Sequence, residues 1–246
     1  MTRRAAHTFA LLGQQSRLTH GCFHRHGGVS PAPYDSLNVS FGVGDAPENV
    51  LHNRGLVKGA LGCPRLVSCR QVHGDQVAVV TGLDRDQELE GYDALITDVP
   101  GVALLIQQAD CQAILLHDPH RRVIANIHCG WRGSVANIIG ATIARLTELF
   151  HSRPGDLQAV ISPALGPCCA EFIHYQTELP ADFHPFVDQA SRVDFPAISA
   201  MQLQKAGVRP HHIEAAGICT RCNHDWFSHR RCRDTGRCCS AIGLLP

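Results

Sequence analysis

The segment that decides the fold opens with Ala109-Asp110-Cys111 and an apolar run over 113–117. It continues through Asp118-Pro119-His120-Arg121 and a second apolar run over 123–128, and closes on His128-Cys129-Gly130-Trp131-Arg132-Gly133. Two short apolar runs around a Pro-containing turn predict an antiparallel hairpin, because proline presets the second position of a tight turn. If Asp118 pairs with Arg121, counting back along both strands sets Cys111 opposite His128. Directly opposed residues share a face with Cβ atoms about 5 Å apart, close enough to hold one ion between them. A one-residue bulge at the turn would break that register.

Working outward, apolar runs at 66–72, 76–81, 94–97 and 102–106 read as further strands, some linked as hairpins. One such hairpin, around Gly74-Asp75, carries His73. Downstream, Val135, Ile138, Ile139, Thr142, Leu146, Leu149 and Phe150 recur at helical spacing. Ser134 is placed to cap that helix, and Pro154-Gly155 follows its end. A strand is expected at 157–162, a second helix at 197–206, and a last sheet segment from 213–218, 226–231 and 237–244. The N-terminal third is rich in turn residues, as in His26-Gly27-Gly28-Val29-Ser30-Pro31. With no repeat, low-complexity stretch or linker, the pattern predicts a single α/β domain over residues 1–246.

Hydrophobic residues make up 44% and charged residues 18% of the 246, a globular composition. A formal net charge of zero argues against a nucleic-acid or membrane-surface binder, which carries a basic surplus. Lys58 and Lys205 are the only lysines, so the positive charge is nearly all arginine. Arginine suits planar anions and phosphate, although biased codon usage explains the pattern equally well. Arg3 and Arg4 precede an apolar stretch, 9–12, too short for a signal peptide, and no run reaches the roughly 18 residues that cross a bilayer. A cytoplasmic protein is expected. In that reducing compartment the twelve cysteines are thiols or metal ligands rather than a disulfide framework.

His73, Cys111 and His128 are the candidate ligands of one metal ion. Two imidazoles and a thiolate suit Zn²⁺ and leave a fourth position open, the pattern of catalytic zinc. Such an ion acidifies water and polarises an attacked group. Asp110 can orient a ligand from behind. The helix beginning after Gly133, with Arg132 beside it, offers an anion site for phosphate. Each residue also has a plainer role: a lone strand-end histidine is commonly structural, Cys111 a buried thiol, and Gly130 and Gly133 turn formers. Near the C-terminus, Cys219-x-x-Cys222, His224, His229, Cys232 and Cys238-Cys239 have the look of a zinc ribbon, an interaction module without enzymatic activity. The second CxxC of a ribbon is missing, and a hairpin around Asp234-Thr235-Gly236 with incidental thiols accounts for the same residues.

Gln71-Val72-His73-Gly74, Ala109-Asp110-Cys111 and His128-Cys129-Gly130-Trp131-Arg132-Gly133 resemble the three signature motifs of the YfiH-type multicopper-oxidase-like proteins. That family was labelled laccase-like or polyphenol oxidase and is now classed as purine nucleoside phosphorylase. Arg25, 27–30, 34–38, Gly44-Asp45, Asn53-Arg54, Gly166-Pro167, Cys219-Thr220 and 227–231 extend the resemblance along the chain. It implies a four-layer α/β/β/α fold with mixed, largely antiparallel sheets, and zinc (copper as the alternative) on His73, Cys111 and His128. It implies phosphorolysis of adenosine, inosine and methylthioadenosine, and hydrolytic deamination of adenosine. The expected substrates are purine nucleosides and phosphate. Cys111, His128, His73 and Asp110 are then catalytic, and Arg25, Asn38, Gln71 and Arg132 contact substrate. Cys129 departs from the alanine usual in the third motif. Cys111 has a competing role as a nucleophile activated by His128 or His73, which would make the protein a cysteine hydrolase editing peptidoglycan precursors. Oxidase chemistry is the weakest reading, since laccases require a copper cluster and the sequence offers one candidate open site. Oligomeric state is left open.

Overall fold

The computed structural model describes residues 6–82 and 84–246; Arg3 and Arg4 lie outside them. In chain order the first strands are β1 (Ala6–His7), β2 (Leu18–Phe23), β3 (Arg65–Arg70), β4 (Val77–Val79), β5 (Gln87–Glu90) and β6 (Ala94–Thr97). They are followed by β7 (Val102–Gln108), β8 (Gln112–Asp118), β9 (Val123–Cys129), β10 (Gln158–Ile161), β11 (Ile213–Ala215) and β12 (Cys238–Leu244). One sheet has the order β1-β2-β12-β7-β3-β5, the other β11-β10-β8-β9-β6-β4. Antiparallel pairing dominates both; the parallel neighbours are β7-β3-β5 in the first sheet, and β10-β11 and β4-β6 in the second.

The sheets pack face to face. Val67, Leu104, Ile106 and Ile242 of the first meet Leu95, Leu115, Ile124 and Val160 of the second in one buried cluster. Helix α1 (Pro47–Leu61) covers the outer face of the first sheet through Val57 and Leu61. Helix α2 (Ile138–Phe150) covers the second through Ile139, Ile143 and Leu146, and helix α3 (Phe195–Lys205) adds Leu203. The result is the expected four-layer α/β/β/α arrangement. Strands β7, β8 and β9 are buried at almost every position because they are covered on both faces, and their middle stretches are mostly apolar. Asn126 is a fully buried polar residue in the middle of β9: its Nδ2 donates to the Leu104 and Ser240 carbonyls of the other sheet, both at 2.9 Å.

Several details depart from the sequence reading. Asp118 pairs with Val123, not Arg121, so His128 lies opposite Ala113 and Cys111 falls just beyond the strand. Strands β3 and β4 belong to different sheets, so the chain around Gly74-Asp75 is a crossover rather than a hairpin turn. The helix after Gly133 is interrupted. A single turn over Trp131–Val135 stops, Asn137 takes a left-handed conformation (φ 58°), and its side chain caps Gly140 N–H to start α2. Ser134 instead donates back to the Gly130 carbonyl. Residues 226–231 form turns over the buried Trp226 and Phe227 rather than a strand. The turn-rich N-terminal third contains β2 and the fifteen-residue α1. None of the described helices is long and apolar enough to cross a membrane.

Candidate active site

Asp93 organises the site. It is fully buried at the start of β6, and its carboxylate gathers the loop after β3. Val72 and Gly74 N–H donate to Oδ2 at 3.1 and 2.8 Å, and His73 N–H donates to Oδ1 at 2.9 Å. The same Oδ1 lies 2.7 Å from His128 Nδ1, so the His128 ring is held with its Nε2 edge free for the pocket. His73, in a left-handed conformation (φ 61°), brings its ring edge-on to His128 with centroids 4.8 Å apart. Cys111 completes the group. One donor atom from each of the three lies within 4.8 Å of the others.

This donor set fits a metal ion. Gly130 borders the space between the ligands, where a Cβ would come 3.1 Å from Cys111 Sγ and 3.2 Å from His73 Cδ2. Glycine thus keeps open a space that any side chain would enter. Burial works against the Cys111 thiolate, but hydrogen bonds from His128 and His73 outweigh it and bring the thiol down to about 6. Burial also works against the His128 imidazolium, and its bonds to Asp93 and Cys111 raise it to about 9. Asp93 lies below the usual carboxylate range, because bonds from His128, Gly74 and Val72 overcome its desolvation.

A consequence can be checked in metal-free protein. A depressed thiol is ionised above its folded value and protonated below it, so iodoacetamide labelling of Cys111 should climb about tenfold between roughly pH 5 and 7.5 and then level off. Peptide mass spectrometry reads this for Cys111 alone. A rate still climbing toward pH 9 would mean that the histidines do not hold the thiolate.

Cys111 stands where two cavities meet. One, of about 220 Å³, is an aromatic slot bounded by Trp131, Phe172 and Phe195, with Arg230 at its wall. The other is a polar cleft of about 760 Å³ lined by His73, His128, Arg70, Gln71, Glu90 and Arg237 among others. Ala109, Cys111 and His229 line both.

Residues 19–245 match the family described as multi-copper polyphenol oxidoreductase laccase. The chain belongs to this family. Within this laccase family it is 34% identical to a protein of Geobacillus stearothermophilus named purine nucleoside phosphorylase YlmD, over 91% of this chain and 89% of that one. It is also 34% identical to purine nucleoside phosphorylase SCO2081 of Streptomyces coelicolor, over 95% and 100% of the two chains. The crystal structure of YlmD from G. stearothermophilus superposes with a TM-score of 0.87 at 30% identity, covering 98% of this chain and 99% of that one. That of Bacillus licheniformis YfiH gives 0.87 at 32% identity, covering 92% of each.

In this laccase-family chain the residues read from the sequence divide into two groups. His73, Cys111, His128 and Gln71 line the polar cleft. Gln71 also brackets β7, its Nε2 donating to the Gln107 carbonyl and its Oε1 accepting from Gln107 N–H, both at 2.9 Å. Asp110 borders the aromatic slot, but its carboxylate accepts from Thr220 Oγ1 (2.7 Å) and Arg230 N–H (2.6 Å), leaving the orientation of a ligand to Asp93. Arg25 is bound to Asp35 and lies over the Phe227 ring. Asn38 is fully buried and bonded to Ser40, Asp45 and Arg237 N–H, bracing the N-terminal loop. Arg132 is exposed and stacks on Trp131. The expected anion site at the following helix also lies elsewhere, since Asn137 and Gly140 border a different cavity, beside Lys205.

Asp93, His229, Arg230 and Arg237 also stand at the site, though the sequence does not single them out as site residues. An acid directly before the apolar run 94–97 was the available signal for Asp93. His229 lines both cavities rather than joining the C-terminal cysteines.

Proposed function

We propose that this chain is a zinc-dependent purine nucleoside phosphorylase, taking adenosine, inosine and methylthioadenosine, and that the same site deaminates adenosine. The observation that carries the reading is the open His73–Cys111–His128 group at the junction of an aromatic slot and a polar cleft. The names of its relatives support the phosphorylase part of this reading. Trp131, Phe172 and Phe195 bind the flat purine face by stacking. Arg70 and Arg237 in the cleft attract phosphate, whose oxygen attacks the sugar carbon as the bond to the base breaks, giving free base and sugar phosphate. When bound, zinc supplies Lewis acidity to the reacting groups.

One observation favours a second reading. Cys111, His128 and Asp93 form a chain in which the thiol bonds the imidazole and the carboxylate holds its other nitrogen, the layout of a cysteine nucleophile with its base and orienter. A cysteine hydrolase acting on peptidoglycan precursors is the corresponding alternative.

Incubation with inosine or adenosine, with and without phosphate, followed by chromatography of base and sugar phosphate, separates the two. Phosphorolysis predicts phosphate-dependent base release that disappears in Cys111→Ala together with zinc at this site. Cys111→Ala that keeps its metal at His73 and His128 but loses turnover identifies a nucleophile. No base release from metal-loaded protein rejects the phosphorylase.

A further inference from the structure

We propose that Cys168, Cys169, Cys219 and Cys222 form a second, closed site that binds one zinc ion through four thiolates. The four sulfurs lie within 4.8 Å of one another, although the two cysteine pairs are some fifty residues apart in sequence. Cys222 Sγ is 3.7 Å from Cys168 Sγ and 3.4 Å from Cys169 Sγ. Zinc bonds thiolate at about 2.3 Å, which in a tetrahedron separates the sulfurs by about 3.8 Å. The cluster is therefore near the size that one tetrahedral ion requires.

The surroundings of two of the sulfurs, those of Cys219 and Cys169, favour a thiolate. Cys219 Sγ accepts backbone N–H groups from Gly166, Arg221 and Cys222, a nest of donors suited to an anionic sulfur. The Arg221 guanidinium donates to Cys169 Sγ at 3.4 Å and offsets part of the negative charge of a tetrathiolate. Gly166 packs closely on the cluster: a Cβ there would come 3.1 Å from Cys219 Cβ and 3.5 Å from Cys168 Sγ. The two segments are already tied by backbone, with Ala164 N–H donating to the Ile218 carbonyl and Thr220 N–H to the Ala164 carbonyl. Zinc entering displaces the thiol protons to solvent and leaves no open position, as in a structural site.

These ligands differ from the ribbon read in the sequence. Cys238 and Cys239 are buried in β12, and Cys232 donates to the Asp234 carbonyl. The ion would act as a staple beside the pocket. Thr220, within the Cys219–Cys222 turn, holds Asp110, and Asp110 precedes Cys111. Leu165 and Ala170, on either side of the Gly166–Cys169 turn, line the aromatic slot. The assignment is independent of the reaction that the open site performs.

The test is zinc stoichiometry after loading with Zn²⁺ under reductant and desalting, for native protein, Cys111→Ala and Cys169→Ser/Cys222→Ser. The expected values are two, one and one. X-ray absorption on Cys111→Ala, which leaves this cluster untouched even if the double variant misfolds, should show four sulfur neighbours at about 2.3 Å. A Cys111→Ala protein without zinc, or with its zinc bound by nitrogen or oxygen, overturns the proposal. So does a reduced, loaded native protein in which Cys169 and Cys222 are found joined as a disulfide.

Discussion

Asp93→Ala is expected to lower metal affinity at the His73–Cys111–His128 site by about tenfold to a hundredfold, and to cost the fold about 3–5 kcal/mol. Both effects come from one carboxylate. Its oxygens accept three consecutive backbone N–H groups and bond His128 Nδ1, and the carboxylate itself is fully buried. Alanine leaves those donors unpaired, and His128 without the partner that fixes its ring and its tautomer. Asp93→Asn keeps the shape while removing the charge, so it should lose metal affinity with a smaller loss of stability. Chelator competition reads the first quantity and urea unfolding the second; zinc on the four-cysteine site should not follow either change. An Asp93→Asn protein with native affinity would show that packing alone orients His128.

His73, Cys111 and His128 come together as the family motifs imply, although the hairpin register expected for Cys111 and His128 is off by two residues. Asp118 accepts His120 and Arg121 N–H on its side chain and Arg122 N–H on its carbonyl, and Arg122 adopts φ 54°. Together these lengthen the loop so that Val123, not Arg121, closes the pair. Side chains alternate with a period of two, so a two-residue slip leaves every residue on its own face. Cys111 and His128 therefore still converge, along a diagonal instead of directly across. A one-residue error would have separated them.

What the sequence hid is long-range or conformational. The helical spacing from Val135 to Phe150 runs unbroken across Asn137, and apolar periodicity carries no sign of a left-handed residue within it. The insertion of β12 between β2 and β7 joins the end of the chain to its beginning and middle, which no local pattern announces. Cys219 and Cys222 lacked a second pair because the partners are Cys168 and Cys169, in another loop. Arg25 and Asn38 drew attention as polar residues in a motif, yet their bonds run to Asp35, Ser40 and Asp45 within the same segment. Motifs mark positions that matter without saying whether a side chain faces a ligand or its own backbone.

Gly130→Val should empty the open site, taking zinc from two equivalents to one and reducing kcat/KM by about a hundredfold or more, the scale of a misplacement near 1 Å in a reacting group. The argument is one of space alone. Gly130 has φ −80° and ψ 175°, extended backbone that valine adopts without strain. Its Cβ would nevertheless stand 3.1 Å from Cys111 Sγ and 3.2 Å from His73 Cδ2, and the two further methyl groups must enter the space among the ligands or push a ligand aside. Overpacking of this kind costs about 1–3 kcal/mol, so the protein should remain folded while the site fails. Gly130→Ala, which adds the Cβ alone, should fall between the two, because Cys111 and His73 need yield only a few tenths of an ångström. Zinc analysis and base release measured on both variants test the ordering. Native zinc and turnover in Gly130→Val would mean that the three side chains do not converge on a common ion, and the nucleophile reading of Cys111 would then lead.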